Sequence, residues 1–258
     1  MRFANGAGPT ARVLILGGTG EARALARELA GRPGLHVTSS LAGRVRRPQL
    51  PPGDVRVGGF GGADGLADWL RRERVRAVVD ATHPFARTIT DNAVRAARRA
   101  GCPLLVLRRP AWEPGPGDDW RPVPSMPAAA ALLPELGERV FLTTGRQGLA
   151  HFAELDLHFL VRAVDPPEPP LPPRTSVLLA RGPFSVDDEL ALLREHRIDV
   201  LVSKNSGGSM TSAKLTAARE LGLPVVMVQR PPQPDAPSAG TVDQAVAWLD
   251  DVLRDHAG

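Results

Sequence analysis

Residues 12–23 read Arg-Val-Leu-Ile-Leu-Gly-Gly-Thr-Gly-Glu-Ala-Arg. Four apolar residues, Val13 to Leu16, run into a cluster of glycines, and beyond them Ala22, Leu25, Ala26 and Leu29 recur at the spacing of one helix face. The segment therefore predicts a strand at 12–16, a tight turn, and a helix at 21–30. The same alternation continues downstream. Apolar runs at 35–40, 55–58, 77–81 and 103–107 predict strands, and the stretches 63–73 and 84–100 between them predict helices. Short strands alternating with helices are the pattern of βαβ units, so the expected fold class is α/β with parallel sheets.

Residues 110–127 break the pattern. Six prolines and little periodicity mark the stretch as a linker. Alternation resumes after it, with helices expected at 127–136, near 147–153, at 186–195 and at 210–221. Strands are expected at 139–144, 157–163, 176–181, 198–203 and 224–229, and proline-rich loops at 165–174 and 231–237. A last helix, 241–253, opens on Thr241 and Gln244, the spacing of a capping box, and Ser185 and Asp188 repeat that spacing. Two domains follow, 11–115 and 125–258, each of ordinary size. No internal sequence repeat relates them, and the final helix is free to pack back on the first.

Composition narrows the function. The 258 residues hold one cysteine, Cys102, and the six histidines lack metal-ligand spacing, so neither a disulfide framework nor a metal site is expected. Tyrosine is absent, which excludes a Tyr-x-x-x-Lys proton relay. The net charge is +4, and of 32 basic residues only Lys204 and Lys214 are lysines. Arginines are scattered along the chain and aromatic residues make up 4%, too few for a base-stacking platform, so nucleic acid is not expected as a partner. Guanidinium groups pair bidentately with phosphate and carboxylate, which points to an anionic small molecule. No segment approaches the 18 or so apolar residues of a membrane span, and Met1 to Ala11 lacks a signal-peptide core. A cytoplasmic protein with a disordered leader is expected.

The turn Gly17-Gly18-Thr19-Gly20-Glu21 at the first βα junction suits a pyrophosphate, because glycines admit close backbone approach and the helix presents unpaired N–H groups. The third glycine of the dinucleotide fingerprint is replaced by Arg23. At the end of the second strand an NAD site wants an acid. Here stand Ser39, Ser40, Arg44, Arg46 and Arg47, which suit the 2′-phosphate of NADP. Further polar clusters follow predicted strands, where open α/β sheets bind ligands. They are Asp80-Ala-Thr82-His83-Pro84-Phe85-Ala86, Thr143-Thr144-Gly145-Arg146-Gln147, Arg181-Gly182-Pro183-Phe184 and Ser203-Lys204-Asn205-Ser206-Gly207-Gly208. Lys214 is expected to face either the same site or solvent.

These clusters, with residues 14–23 and 213–227, resemble the precorrin-6A reductase family of cobalamin biosynthesis over residues 11–250. Met210-Thr211-Ser212 departs from the aromatic often found there in that family. The resemblance implies two Rossmann-like domains with an active site in the cleft between them. It also implies NADPH-dependent reduction of one ring double bond of precorrin-6A, a polycarboxylate macrocycle, giving precorrin-6B. By the same resemblance Gly17, Gly18, Thr19, Gly20 and Glu21 hold the cofactor, joined on the residue reading by Ser39, Ser40, Arg44 and Thr82. Thr144, Gly145, Arg146, Gln147, Ser203, Asn205, Ser206 and Gly207 line the substrate site. Lys204 and His83 are the candidate proton donors. The reading allows a monomer that hands its product to other corrin-pathway enzymes. Three other readings stay open at this stage: a cobalt-precorrin-6A reductase, a non-catalytic NADPH-binding sensor, and a two-domain sugar transferase.

Overall fold

The computed structural model describes residues 11–43, 49–232 and 234–255. Of the expected leader, Met1 to Ala11, residues 1–10 lie outside the described residues, as do the basic residues Arg44, Arg46 and Arg47, and Ala11 opens the first strand. The chain divides into two units. Unit 1 comprises the chain up to Arg109 and again from Pro231 onward, and unit 2 runs from Pro110 to Arg230.

Unit 1 contains β1 (Ala11–Leu16), α1 (Gly20–Leu29), β2 (Leu35–Leu41), β3 (Asp54–Val57), α2 (Gly62–Arg72), β4 (Val75–Asp80), α3 (Arg87–Ala100) and β5 (Leu104–Leu107). The returning segment adds β12 (Ser238–Ala239) and α7 (Val242–Asp255). All pairings are parallel, in the order β12-β5-β4-β1-β2-β3. This is the order of doubly wound nucleotide-binding sheets. Both sheet faces are covered, which is why β1 reads as continuous apolar residues rather than an alternation. Val13 and Ile15 join the core under α1 and α7, while Leu14 and Leu16 join the core under α2 and α3. The four apolar residues predicted for one face of α1 are its buried residues.

The last helix belongs to unit 1, not to the second domain as the 125–258 boundary had it. Ala245 and Leu249 are fully buried beside Leu25 and Leu29. Burying each leucine contributes roughly 1.5–3 kcal/mol. Its capping box forms as the spacing predicts: the Gln244 N–H donates to Thr241 Oγ1 at 3.2 Å, and the Thr241 N–H donates to Gln244 Oε1 at 3.3 Å. At Ser185 the hydroxyl oxygen accepts the Asp188 N–H at 3.1 Å.

Unit 2 contains β6 (Trp120–Val123), α4 (Met126–Leu132), β7 (Arg139–Leu142), β8 (His158–Ala163), β9 (Arg174–Leu179), α5 (Val186–Glu195), β10 (Val200–Lys204), α6 (Ala213–Glu220) and β11 (Val225–Val228). Its sheet is again parallel, in the order β6-β11-β10-β7-β8-β9. Taken from β7, the strands repeat the order of unit 1, with β6 in the outermost place that β12 fills there. The supposed linker thus supplies a strand. Its prolines hid the period, yet Pro122 is tolerated because β6 is an edge strand, where a missing N–H leaves no ladder bond broken. The helix expected near 147–153 is a single 3₁₀ turn, Leu149–Phe152. The expected helices at 84–100 and 210–221 begin later, at Arg87 and Ala213.

Candidate active site

In an open α/β sheet the ligand crevice lies beyond the strand ends at the point where the winding reverses. In unit 1 that point falls between β1 and β4. Gly17 donates its N–H to the Ser40 carbonyl at 2.9 Å, fixing the turn against β2. A Cβ at Gly17 would meet Ala22 and Leu41 at 3.4–3.5 Å, which is ordinary van der Waals contact. Gly18 adopts φ +115 with open space about it, a conformation that strains any residue with a Cβ.

Thr19 caps α1. Its hydroxyl accepts the Ala22 N–H at 3.1 Å and donates to the Ala81 carbonyl at 2.7 Å. The side chain is buried and fully occupied, so any contact with a ligand from this residue would come through its backbone. Ala22 is thus capped, while the N–H groups of Gly20 and Glu21 have no intrahelical acceptor. Glu21 would repel an anion at that place, but its carboxylate is held by Arg109 Nη1 at 2.6 Å. Arg109 was not singled out from the sequence, where it is one arginine among many.

Ser39 and Ser40 lie in the last residues of β2, before Leu41, and both are buried. The Ser39 hydroxyl has no hydrogen-bond partner among the described residues. Beyond β4, Asp80 is buried, and desolvation raises its carboxyl above the ordinary value. Its Oδ1 accepts both the N–H of Thr82, at 3.0 Å, and the Thr82 hydroxyl, at 2.7 Å. The Thr82 hydroxyl hydrogen is therefore committed, and its oxygen can only accept from a ligand. His83 is exposed, and its Nδ1 accepts the Phe85 N–H at 3.2 Å. In the neutral ring the proton then sits on Nε2. A cavity lies here, lined among others by Asp80, Thr82, His83, Arg87, Thr90 and Arg108.

Unit 2 reverses between β7 and β10, and the residues predicted for substrate contact cluster there. Thr143 is tied back to the sheet, its hydroxyl donating to the Val202 carbonyl at 2.9 Å. Thr144 is buried, and its hydroxyl has no partner among the described residues. Gly145 turns the chain at φ +74, followed by half-buried Arg146 and exposed Gln147. Lys204 ends β10. Its Nζ donates to the Thr144 carbonyl at 3.0 Å, and burial lowers the pKa of the ammonium below lysine's ordinary value.

Three of the predicted substrate residues have other tasks. Ser203 is fully buried, its hydroxyl directed to the Lys204 carbonyl at 3.3 Å. Asn205 is 5% exposed, with its side-chain amide taken up by the backbone of Trp112. Gly207 packs so tightly that a Cβ would lie 2.0 Å from the Pro110 carbonyl oxygen. Ser206 stays half-buried, bonded to the Lys204 carbonyl at 3.3 Å. Arg181 is exposed beside Gly182, and Met210, in place of the family's aromatic, is 40% exposed.

Lys214 faces neither a site nor solvent. It is 4% exposed, with Nζ 5.2 Å from the Trp112 ring centroid. It shares the interior with the ion pair Arg162–Glu189, whose atoms are 2.7 Å apart, and Arg162 is stacked 3.8 Å from the Phe184 ring. Desolvation, reinforced by the positive charge of Arg162 and opposed by Glu189, brings its pKa to about 7. Nothing in the local sequence marks this cluster, because its members come from β8, α5 and α6.

A glycine turn leading into a capped helix at the reversal point of such a sheet defines unit 1 as an α/β module of the Rossmann type. The class becomes more specific on comparison. The family model described as precorrin-6x reductase CbiJ/CobK matches residues 12–250. A precorrin-6A reductase of Rhodococcus erythropolis is 62% identical over 94% of this chain and 99% of its own. A cobalt-precorrin-6A reductase of Priestia megaterium is 32% identical over 85% of this chain and 90% of its own. Among solved structures, a CobK precorrin-6A reductase superposes with a TM-score of 0.88 at 45% identity, covering 94% of this chain and 97% of the other. The chain belongs to the precorrin-6x reductase CbiJ/CobK family. Among the described residues no helix is long and apolar enough to cross a membrane.

Proposed function

We propose that the chain reduces one ring double bond of precorrin-6A to give precorrin-6B, with NADPH as the hydride donor held by unit 1 and the macrocycle held by unit 2. One asymmetry carries the division of labour. The turn after β1 leads into the ten-residue helix α1, whose N-terminus favours a diphosphate. The corresponding turn after β7 leads only into a four-residue 3₁₀ segment, with no comparable dipole. An anion there must be met by side chains, and the turn itself carries a cation, Arg146. That suits the acetate and propionate arms of a polycarboxylate, since each needs a charge-assisted partner.

The residues of unit 1 fit a nicotinamide dinucleotide. Gly17, Gly18 and the N–H groups of Gly20 and Glu21 would meet the pyrophosphate. The buried Ser39 hydroxyl, without a hydrogen-bond partner among the described residues, lies near the strand end where such sheets bind a ribose. Thr82 offers an acceptor and His83 an N–H. When bound, the dihydronicotinamide supplies the hydride. The protein's part is to hold the macrocycle and to give a proton to the carbon beside the one reduced. Lys204 is suited to this, because burial weakens its hold on the proton and the Thr144 carbonyl fixes its position.

Metal-free precorrin-6A is preferred over its cobalt complex because the relative bearing the first name is 62% identical and the one bearing the second 32%. A non-catalytic sensor would need α1 and its turn but not the cluster around Lys204. The test is anaerobic incubation with precorrin-6A and either NADPH or NADH, following cofactor oxidation and the ring spectrum. Binding of neither cofactor, or no spectral change with NADPH bound, sinks this reading. Tight NADH with weak NADPH sinks the assignment of the 2′-phosphate.

A further inference from the structure

The chain passes between the units at only two places, Arg109–Pro110 and Arg230–Pro231. On the unit 2 side both crossings are fastened to one residue, Asn205. Its Oδ1 accepts the Trp112 N–H at 2.8 Å, and its Nδ2 donates to the Trp112 carbonyl at 3.0 Å. The side-chain amide thus mimics a strand pairing with the incoming connector. On the outgoing side, Arg230 Nε donates to the Asn205 carbonyl at 2.6 Å, and Arg230 Nη2 donates to the Pro110 carbonyl at 3.0 Å. The Asn205 N–H itself donates to the Val228 carbonyl at 2.9 Å. Every polar group of a 5% exposed residue is therefore engaged by the protein. Two neighbours tighten the joint: Trp112 Nε1 donates to the Gly208 carbonyl at 2.8 Å, and Gly207 leaves no room for a Cβ against Pro110.

We propose that Asn205 is a positioning residue for Lys204: it clamps loop 203–208 to both connectors and so fixes the ammonium beside the Thr144 carbonyl. The role of Lys204 in the reaction rests on the function proposed above; the clamp does not. A merely buried asparagine would need only satisfied polar atoms. Asn205 instead grips the incoming connector with its side chain and the outgoing one with its main-chain carbonyl, next in sequence to the cation they must place.

The two lysines make the test clean. The acetylation rate of Lys204 as a function of pH, followed by mass spectrometry, reports the apparent pKa of its amine, while Lys214, buried in the interior, stays unmodified in the folded protein. In Asn205→Ala the released loop should let that value rise toward lysine's ordinary 10.5. Turnover at saturating substrate should fall on the order of 10²-fold, as misplacement by about an ångström does, with NADPH affinity unchanged. In a Lys204→Met background the Asn205→Ala change should cost no further turnover. Should Asn205→Ala not fold, Trp112→Phe removes the Gly208 bond from the connector side and should move the Lys204 profile in the same direction. An unchanged Lys204 profile in a folded variant overturns the clamp. Additive losses in the double variant overturn its action through Lys204. If Lys204→Met leaves turnover intact, the functional reading of Lys204 fails while the acetylation profile still decides the clamp.

Discussion

Replacing Lys214 by methionine should stabilise the protein near neutral pH, by an amount that shrinks as pH rises. Lys214 is 4% exposed, and its pKa falls from 10.5 to about 7 on folding. Each pKa unit corresponds to about 1.4 kcal/mol, so the full penalty for the buried amine is roughly 5 kcal/mol. The sign follows from which state binds the proton first. Above pH 10.5 the amine is neutral in both states and nothing is lost. As pH falls, the unfolded chain takes up the proton while the folded one resists, so stability declines until about pH 7, below which both are charged. At pH 8 the penalty is roughly 3.4 kcal/mol by the same conversion. Methionine matches the length of the lysine stem and carries no charge, though it gives up the amine's approach to Trp112 and Glu189. Urea unfolding of both proteins at pH 7, 8, 9 and 10 reads the difference directly. The advantage of Lys214→Met should fall by about 1.4 kcal/mol per pH unit between pH 7 and 10. Cys102, whose thiol burial raises to about 12, also makes stability depend on pH, but it is present in both proteins and cancels. A stability difference that is flat across this range would refute the reasoning.

Other expectations are simpler to check. Lys204→Met should lower the turnover number of the reductase with little change in half-saturation; a raised half-saturation constant alone would make Lys204 a carboxylate-binding residue. Gly18→Val forces a β-branched side chain into φ +115 and should weaken NADPH binding at least tenfold by isothermal titration, leaving macrocycle binding by unit 2 intact. Arg109→Ala leaves the Glu21 carboxylate uncompensated at the start of α1 and should weaken NADPH by about tenfold, or ~1.4 kcal/mol, most at low salt. Glu189→Ala leaves Arg162 buried without its partner and should cost about 3–5 kcal/mol in chemical denaturation.

The features legible in the sequence are those set by neighbours along the chain. The buried face of α1, the capping box at Thr241 and the glycine turn at 17–20 each depend on contacts within a few residues, so spacing alone exposes them. The limits of that reading show at Trp120–Val123 and Leu149–Phe152. The first looks like linker because prolines interrupt its period, and it becomes a strand only because β11 offers a parallel edge. The second has apolar residues at helical spacing, yet Gly148 and the turn before it leave room for one 3₁₀ turn. The substrate cluster divides in the same way. That residues 203–208 follow a strand is local information, but that Asn205 and Gly207 face a connector nearly a hundred residues away is not.

By itself, then, the sequence determined the fold class, the strand-end positions of the glycine turn and polar clusters, and through those motifs the family. These follow from backbone propensity, apolar period and residue chemistry, all of which act over short distances. Only the tertiary structure decided that the last helix returns to unit 1, that Glu21 is neutralised by Arg109, and that Lys214 is buried with Arg162 and Glu189. It alone separated Lys204, held below its ordinary pKa beside Thr144, from Ser203 and Asn205, whose polar atoms are taken up within unit 2. The physical reason is common to all of them. Burial and partnership are properties of groups brought together by packing, and packing joins residues whose separation along the chain carries no signal of their meeting.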